Sequence, residues 1–436
     1  MKKNQIELAK SEIAAAEGIA LEHKLIKEKT DEATENKEKK IFGMNENIFF
    51  TGLTSFFTDT SVYAAYPVLP VFLKSALGVS VPQIAVIEGV AEATASVLKA
   101  LSGWWSDKLG KNKPFMVLGY LLTAIITPIF GFISQGYQIL LLRFVERFGK
   151  GIRTAPRDSI IAASGGKKSH GRNFGFHKAM DKTGAIIGPL FAWFVIYLAT
   201  KAHGAPTLWD YKLFFILASI PAFLGVITIC LFIKDVKTEK KSNVDKISLK
   251  AFDKKFYAFL VIAFIFSLGN STDSLLLLRA QDTGIQQSSV PLVYLVCNFT
   301  AMALSVPIGI LSDKVGREKI IIIGYLIYAI VYFGFAGASK PRMIIGLFAL
   351  YGVYNAACDG IQKALVADLV GNKNRGTALG LFNAAIGITL LPASVIGGLL
   401  WDANTSHSLP FLFGAIMAFL SAVLLFIFYR KRFKTA

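Results

Sequence analysis

Three cysteines and five histidines in a chain of 436 residues leave little from which to build a metal centre or a disulfide framework. Cys230, Cys297 and Cys358 each fall inside an apolar run, without the close spacing of metal ligands, and read as packing residues. No glycine-rich phosphate loop, metal-ligand set or nucleophile and base pair occurs at usable spacing. The chain therefore carries no enzyme signature, and neither a cofactor nor a metal is expected. Charge is scarce too, at 17% of residues, against about 25% in soluble domains. What fills the chain is apolar: 53% hydrophobic residues, 35 of them phenylalanine, and a mean hydropathy of +0.51.

A helix needs roughly 20 apolar residues to cross about 30 Å of hydrocarbon. About twelve such runs lie near 47–77, 81–105, 114–134, 137–163, 173–200, 212–233, 256–280, 288–311, 319–338, 342–366, 376–400 and 409–429. Without water to satisfy the backbone, each must be helical. The expected fold is an all-α polytopic membrane protein with the bilayer as its constant partner.

The net charge of +18 invites a nucleic-acid reading, but the placement of the bases excludes it. Alternate loops hold Lys108, Lys111 and Lys113, then Lys167, Lys168 and Arg172, the stretch 234–255, Lys314, Arg317 and Lys319, Lys373 and Arg375, and finally 430–434. The intervening loops hold little beyond Lys74, Lys201, Lys212, Arg279, Lys340 and Arg342. That is the asymmetry of a multi-pass protein with both termini in the cytoplasm, and no basic patch is interleaved with exposed aromatics. Residues 1–43, rich in Lys, Glu and Ala, lack the apolar core of a signal peptide and read as a cytoplasmic tail. The basic stretch 235–255 reads as a linker between two six-helix bundles at 44–234 and 256–430, with 431–436 a second cytoplasmic tail.

The two bundles follow from a repeat. GWWSDKLGKN at 103–112 returns 206 positions later as GILSDKVGRE at 309–318, each copy between two apolar runs. Gly103, Asp107, Lys108, Gly110 and Lys111 correspond to Gly309, Asp313, Lys314, Gly316 and Arg317. On the sequence, Gly103 and Gly309 close the second and eighth helices where a neighbour packs tightly, and the acids face an adjacent helix N-terminus. The repeated loop resembles the one between the second and third helices of major facilitator superfamily transporters, which recurs between the eighth and ninth. The resemblance implies the twelve-helix major facilitator fold, and a loop that latches the cytoplasmic side shut.

Ionisable residues inside the spans are costly and point to function. Helix one carries Asp59; helix two carries Glu88, Glu92 and Lys99 within roughly 40° of arc. Helix four aligns Arg143, Glu146, Lys150, Arg153 and Arg157 within roughly 80°, flanked by Arg147 and Asp158. Pro156 is expected to kink it. On helix five, His177 and Asp181 share one face and read as a proton relay. Arg143 with Gly149 and Gly151 loosely resembles the superfamily's helix-four motif for proton transfer, although Arg147 stands where glycine is common. Gly184, Gly188 and Pro189 resemble the helix-five motif of its exporters, although Ala192 replaces a later glycine. Both stretches together are similar to a bacterial permease branch of the superfamily, and so to a protein of the cytoplasmic (inner) membrane.

Asp59, Glu88, Glu92, Glu146, His177 and Asp181 are accordingly the expected proton-coupling groups. Tyr63, Tyr66, Arg143, Arg147, Arg153, Arg157, Lys178, Asp273, Asn298, Asn355, Gln362 and Asn383 are expected to line a substrate cavity. Asp273 echoes Asp59 in its Thr-Asp-Ser setting. Asp359 and Lys363, four apart, read as an ion pair. The function expected is a monomeric secondary active transporter that moves a small solute by alternating access, driven by protons or else sodium, and exporting by antiport. Two alternatives stand beside it: proton symport for uptake of an organic anion or siderophore, which suits the basic stripe, and an uncoupled facilitative carrier.

Overall fold

The computed structural model describes residues 40–109, 111–164, 170–236, 252–370 and 375–434. Most of the expected N-terminal tail, the middle of the linker, the end of the C-terminal tail and Gly110 lie outside them. A small hairpin, β1 (Lys40–Ile41) against β2 (Met44–Asn45), leads into α1 (Glu46–Ser75), whose first turn is capped by the Asn45 carboxamide at 2.8 Å from the Asn47 amide. Then come α2 (Val81–Leu109), α3 (Lys113–Ile129), α4 (Gly136–Ala163), α5 (His170–His203) and α6 (Leu208–Phe232). The second half comprises α7 (Lys254–Gly269), α8 (Asp273–Asp282), α9 (Val290–Val315), α10 (Arg317–Gly337), α11 (Pro341–Cys358), α12 (Ile361–Val370), α13 (Arg375–Asp402) and α14 (Leu409–Lys434).

Ten segments of the described residues are long and apolar enough to cross a membrane. Helices α1 and α4, 30 and 28 residues long, are not among them because of their polar residues. In α1 those residues, including Thr51, Thr54, Ser55, Thr58 and Ser61, are buried against neighbouring helices. On α6, by contrast, Trp209, Leu213, Ile216, Ile220, Phe223, Ile227 and Leu231 recur every three or four residues and are exposed. That stripe is the surface a bilayer covers.

The halves pack alike. In the first, α1 lies against α5 and α6, and α4 against α2 and α3; in the second, α7 lies against α13 and α14, and α11 against α9 and α10. Between the halves, α2 runs along α13 and α5 along α9. Gly89 meets Leu391 and Ser394 along the α2–α13 seam, and Gly398 meets Pro82 and Ala85. At the face where α1 ends, the bundles are joined by a Lys74–Asp282 salt bridge of 2.7 Å, by Gln281 donating to Ser75 at 2.8 Å, and by Tyr211 donating to Gln287 at 3.1 Å. Lys74 also lies 5.7 Å above the Trp401 ring.

Two spans expected to be continuous are broken. The run 256–280 divides at Asn270–Thr272, where Thr272 caps α8 by accepting from the Ser274 amide. Asn, Ser, Thr and Asp in succession offer the backbone side-chain partners that compete with a helix. Tyr328 donates to the freed Gly269 carbonyl at 3.1 Å and to Asn270 at 3.2 Å. The run 342–366 divides at Asp359–Gly360, between α11 and α12. Such breaks are tolerated at membrane depth only when buried in protein or facing a cavity.

Candidate functional site

The charged stripe of α4 is an interior ion network. Arg143 bonds Glu88 on α2 with one guanidinium nitrogen and Glu146 on its own helix with another. The Arg143 and Glu88 side chains are 3% and 2% exposed. One turn on, Arg147 pairs with Glu92 at 2.8 Å. Arg153 has uncharged partners: it donates to the Thr123 hydroxyl at 2.7 Å and stacks 4.2 Å over the Tyr120 ring, both on α3. Arg157 holds Asp158 at 2.9 Å and reaches the Ser55 hydroxyl at 3.5 Å. Pro156 sits inside α4, which remains one helix.

A second polar chain links α1 and α5. The Ser55 hydroxyl lies 3.0 Å from His177 Nε2 and 3.4 Å from the Tyr120 hydroxyl. On its other side His177 Nδ1 stands 3.6 Å from Asp181, whose Oδ1 is buried without a hydrogen-bond partner. Asp59, half-buried on α1, feels Asp181 as its strongest charged neighbour, ahead of Arg153, Lys150 and Arg157. This meeting depends on glycine. A Cβ at Gly188 would lie 2.5 Å from the Thr60 carbonyl and 2.7 Å from the Ala64 nitrogen, and one at Gly184 would lie 2.7 Å from the Phe56 carbonyl and 3.0 Å from Asp59 Cβ. With Pro189 following inside α5, the helix-five glycines form the α1–α5 crossing.

The second half supplies its own acids at the two helix breaks. Asp273 lies in the first turn of α8, not mid-helix like Asp59, and accepts from the Tyr351 hydroxyl at 2.7 Å. Asp359, at the α11–α12 break, is acted on by Lys363 first and then by Lys182 and Lys178 of α5. No salt bridge joins Asp359 to Lys363 among the described residues, so the pair expected from spacing is not closed; the helix between them breaks. The Tyr294 ring on α9 lies 5.4 Å from Tyr66, tilted against it, and stacks 6.4 Å from Tyr63. Asn298 donates to the Tyr294 carbonyl at 3.1 Å, and Asn355 to the Cys297 sulfur at 3.5 Å. Gln362 is buried beside Cys358, Asn383 is half-buried on α13, and Lys178 is exposed.

The repeated loop differs from its expected form. Gly103, Asp107 and Lys108 fall on the last turns of α2, which runs to Leu109, and α9 continues past Gly309 to Val315. Neither glycine ends its helix, and a Cβ at Gly309 would have nothing within 4 Å. Gly316 terminates α9, at φ +102°, where L side chains are disfavoured. Lys111 and Lys314 are exposed. Arg317 ties α10 to α12 through Asp368 at 2.7 Å and the Ala364 carbonyl at 2.6 Å, with Asp313 at 3.5 Å. These contacts all lie within the second half.

Residues that spacing did not single out complete the site: Ser55, Tyr120, Thr123, Tyr294 and Tyr351 connect helices far apart in sequence. None of these carries a local signal of its own; the Thr272–Asp273 capping pair beside Tyr351 does, since Asp and Thr favour helix starts.

Two helical bundles enclosing a polar interior define a membrane transporter fold, and solved structures agree in shape. A POT family transporter in complex with 5-aminolevulinic acid matches with a TM-score of 0.74 at 12% identity, covering 90% of this chain and 98% of that one. Nucleoside transporter NupG matches at 0.71 and 15%, covering 89% and 99%. The sequence model of the Major Facilitator Superfamily matches residues 51–278 and 258–436, and the chain belongs to that superfamily. A relative described as an uncharacterized MFS-type transporter, from Methanocaldococcus jannaschii, is 36% identical over 390 residues, covering 88% of this chain and 94% of the relative. The multi-drug resistance efflux pump PmrA of Streptococcus pneumoniae is 24% identical over 338 residues, covering 74% and 81%. The chain is thus a multi-pass membrane transporter.

Proposed function

We propose that the chain is a proton-coupled secondary transporter that exports a small solute by antiport. It works as a monomer in the cytoplasmic membrane. Twelve spans, with α7–α8 and α11–α12 each counted as one, form two bundles at 44–234 and 256–430 that rock about a central site, with both termini cytoplasmic. The observation that carries the reading is the facing pair Asp59 and Asp181. Every other acid of the first-half interior network is bonded to arginine: Glu88 and Glu146 to Arg143, Glu92 to Arg147, and Asp158 to Arg157. Asp59 and Asp181 form no salt bridge to lysine or arginine among the described residues, and they repel one another. A proton held there removes the repulsion, and its release restores it. Their backbones meet at Gly184 and Gly188, so a change of charge acts on the packing of α1 against α5. His177 and Ser55 supply a path for the proton toward Tyr120.

Export is supported over anion symport by the same bookkeeping of charge. Arg143, Arg147 and Arg157 are committed to carboxylates, so the basic stripe offers a solute anion few free donors. The multidrug efflux relative favours the same direction. The bridge Lys74–Asp282 joins the bundles at the face reached by the end of α1, as a state open to the opposite, cytoplasmic face requires.

The test uses proteoliposomes with an acidic lumen and an internal pH dye. Antiport predicts that adding a transported solute outside makes the lumen more alkaline; symport predicts acidification. Asp59→Asn and Asp181→Asn are each expected to abolish the proton signal while the purified proteins elute and melt like wild type. Wild-type proton flux in both variants would refute the assignment.

A further inference from the structure

Asp273 differs from the other interior acids in its company. The charged groups that act on it most strongly, Glu92, Asp359 and Glu88, are all acids, and among the described residues no lysine or arginine forms a salt bridge with it. Among the described residues its side chain accepts from the neutral Tyr351 hydroxyl at 2.7 Å. The residue is half-buried. Tyr66 of the first bundle and Tyr294 of the second lie within its electrostatic reach, and the Tyr294 ring stands 5.4 Å from Tyr66 and 6.4 Å from Tyr63. The bases nearby are engaged elsewhere. Arg143, 5.9 Å over Tyr66, bonds both Glu88 and Glu146, and Lys182, which acts on the neighbouring Cys297, is drawn by Asp359.

An acid held in a negative field at the protein interior lacks its counter-charge. Tyrosine faces attract a cation and add area against its apolar parts. We propose that Asp273, with Tyr351, Tyr294, Tyr66 and Tyr63, is a binding site for an organic cation carrying an aromatic or bulky apolar body. The site draws on both bundles, so its occupant contacts whichever of them moves. This rests on the transport reading above and names the class of its solute.

The test is equilibrium binding of labelled tetraphenylphosphonium to the purified full chain in detergent. Saturable binding is expected, with tetraphenylborate, of the same shape and opposite charge, failing to compete. Asp273→Asn is expected to weaken binding about tenfold or more, given a unit charge at contact in a partly screened interior, while Asp273→Glu retains it. Equal competition by tetraphenylborate, or no binding by wild type, would overturn the proposal without recourse to any variant. Unchanged affinity in a well-folded Asp273→Asn protein would do so as well. Cation binding that depends on Asp273 without proton-driven flux would sink the coupling scheme and leave this site standing. Proton-driven flux with cation binding indifferent to Asp273 would do the reverse.

Discussion

Replacing Arg143 by methionine tests whether the α4 stripe is structural. The side chain is 3% exposed and holds two carboxylates, Glu88 at 2% and Glu146 at 6%. Methionine keeps the stem volume and removes the charge, leaving two buried acids without their shared partner. Breaking a buried pair from one side costs about 3–5 kcal/mol, because the orphaned charge keeps its desolvation penalty and loses the attraction that offset it. Glu92→Gln is the internal control. Glu92 is 32% exposed, and the Arg147 it leaves behind still has Glu146 and Glu88 as nearby opposite charges, so the orphaned charge is partly compensated and the expected cost falls to about 1 kcal/mol. A third protein, Arg143→Met with Glu88→Gln and Glu146→Gln, removes the charges together and is expected to recover most of the stability, since a whole network can be replaced nearly neutrally. The assay is reversible unfolding in mixed detergent micelles, with the midpoint followed by tryptophan fluorescence. If Arg143→Met lies within about 1 kcal/mol of wild type, or the triple variant is no better than the single one, the network is not what holds α2 to α4.

Other substitutions probe the helix crossings and the closed face. Gly188→Val is expected to cost on the order of 1–3 kcal/mol and to abolish transport, because its Cβ would meet the Thr60 carbonyl and Ala64 nitrogen of α1, which are backbone and cannot turn aside. Gly309→Ala, with nothing within 4 Å, should stay within about 0.5 kcal/mol of wild type; the pair is read by thermal melting and vesicle uptake, and equal effects would refute the packing account. Cysteines placed at Lys74 and Asp282 should cross-link under oxidation and arrest turnover until reduced. Turnover that continues with the link fully formed would show that this contact need not open.

Much of the architecture was legible because a membrane imposes a simple rule: an apolar run must form a helix of fixed minimum length. About twelve apolar runs are read from it, and ten segments of the described residues are long and apolar enough to cross a membrane; the doubled charged loop is legible separately, as a repeat. The helix breaks at 270–272 and 359–360 were not read, since hydropathy averages over a window and passes across three polar residues. The loop glycines were placed at helix ends from a motif, whereas α2 and α9 run on beyond them.

In the site, periodicity correctly grouped Glu88 with Glu92 and aligned the α4 bases, because one helix face is a local property. It could not say which charges would cancel. Arg143 and Glu88 lie 55 positions apart, and Asp282 stands 208 from Lys74; no spacing rule relates such residues. The chain alone therefore determined the family, the membrane habit and the residues able to carry charge, since these depend on composition and short-range order. Tertiary packing decided which acids are paired with arginine and which, among the described residues, have no lysine or arginine in a salt bridge. Electrostatic energy depends on distances and desolvation that exist only once the helices have assembled.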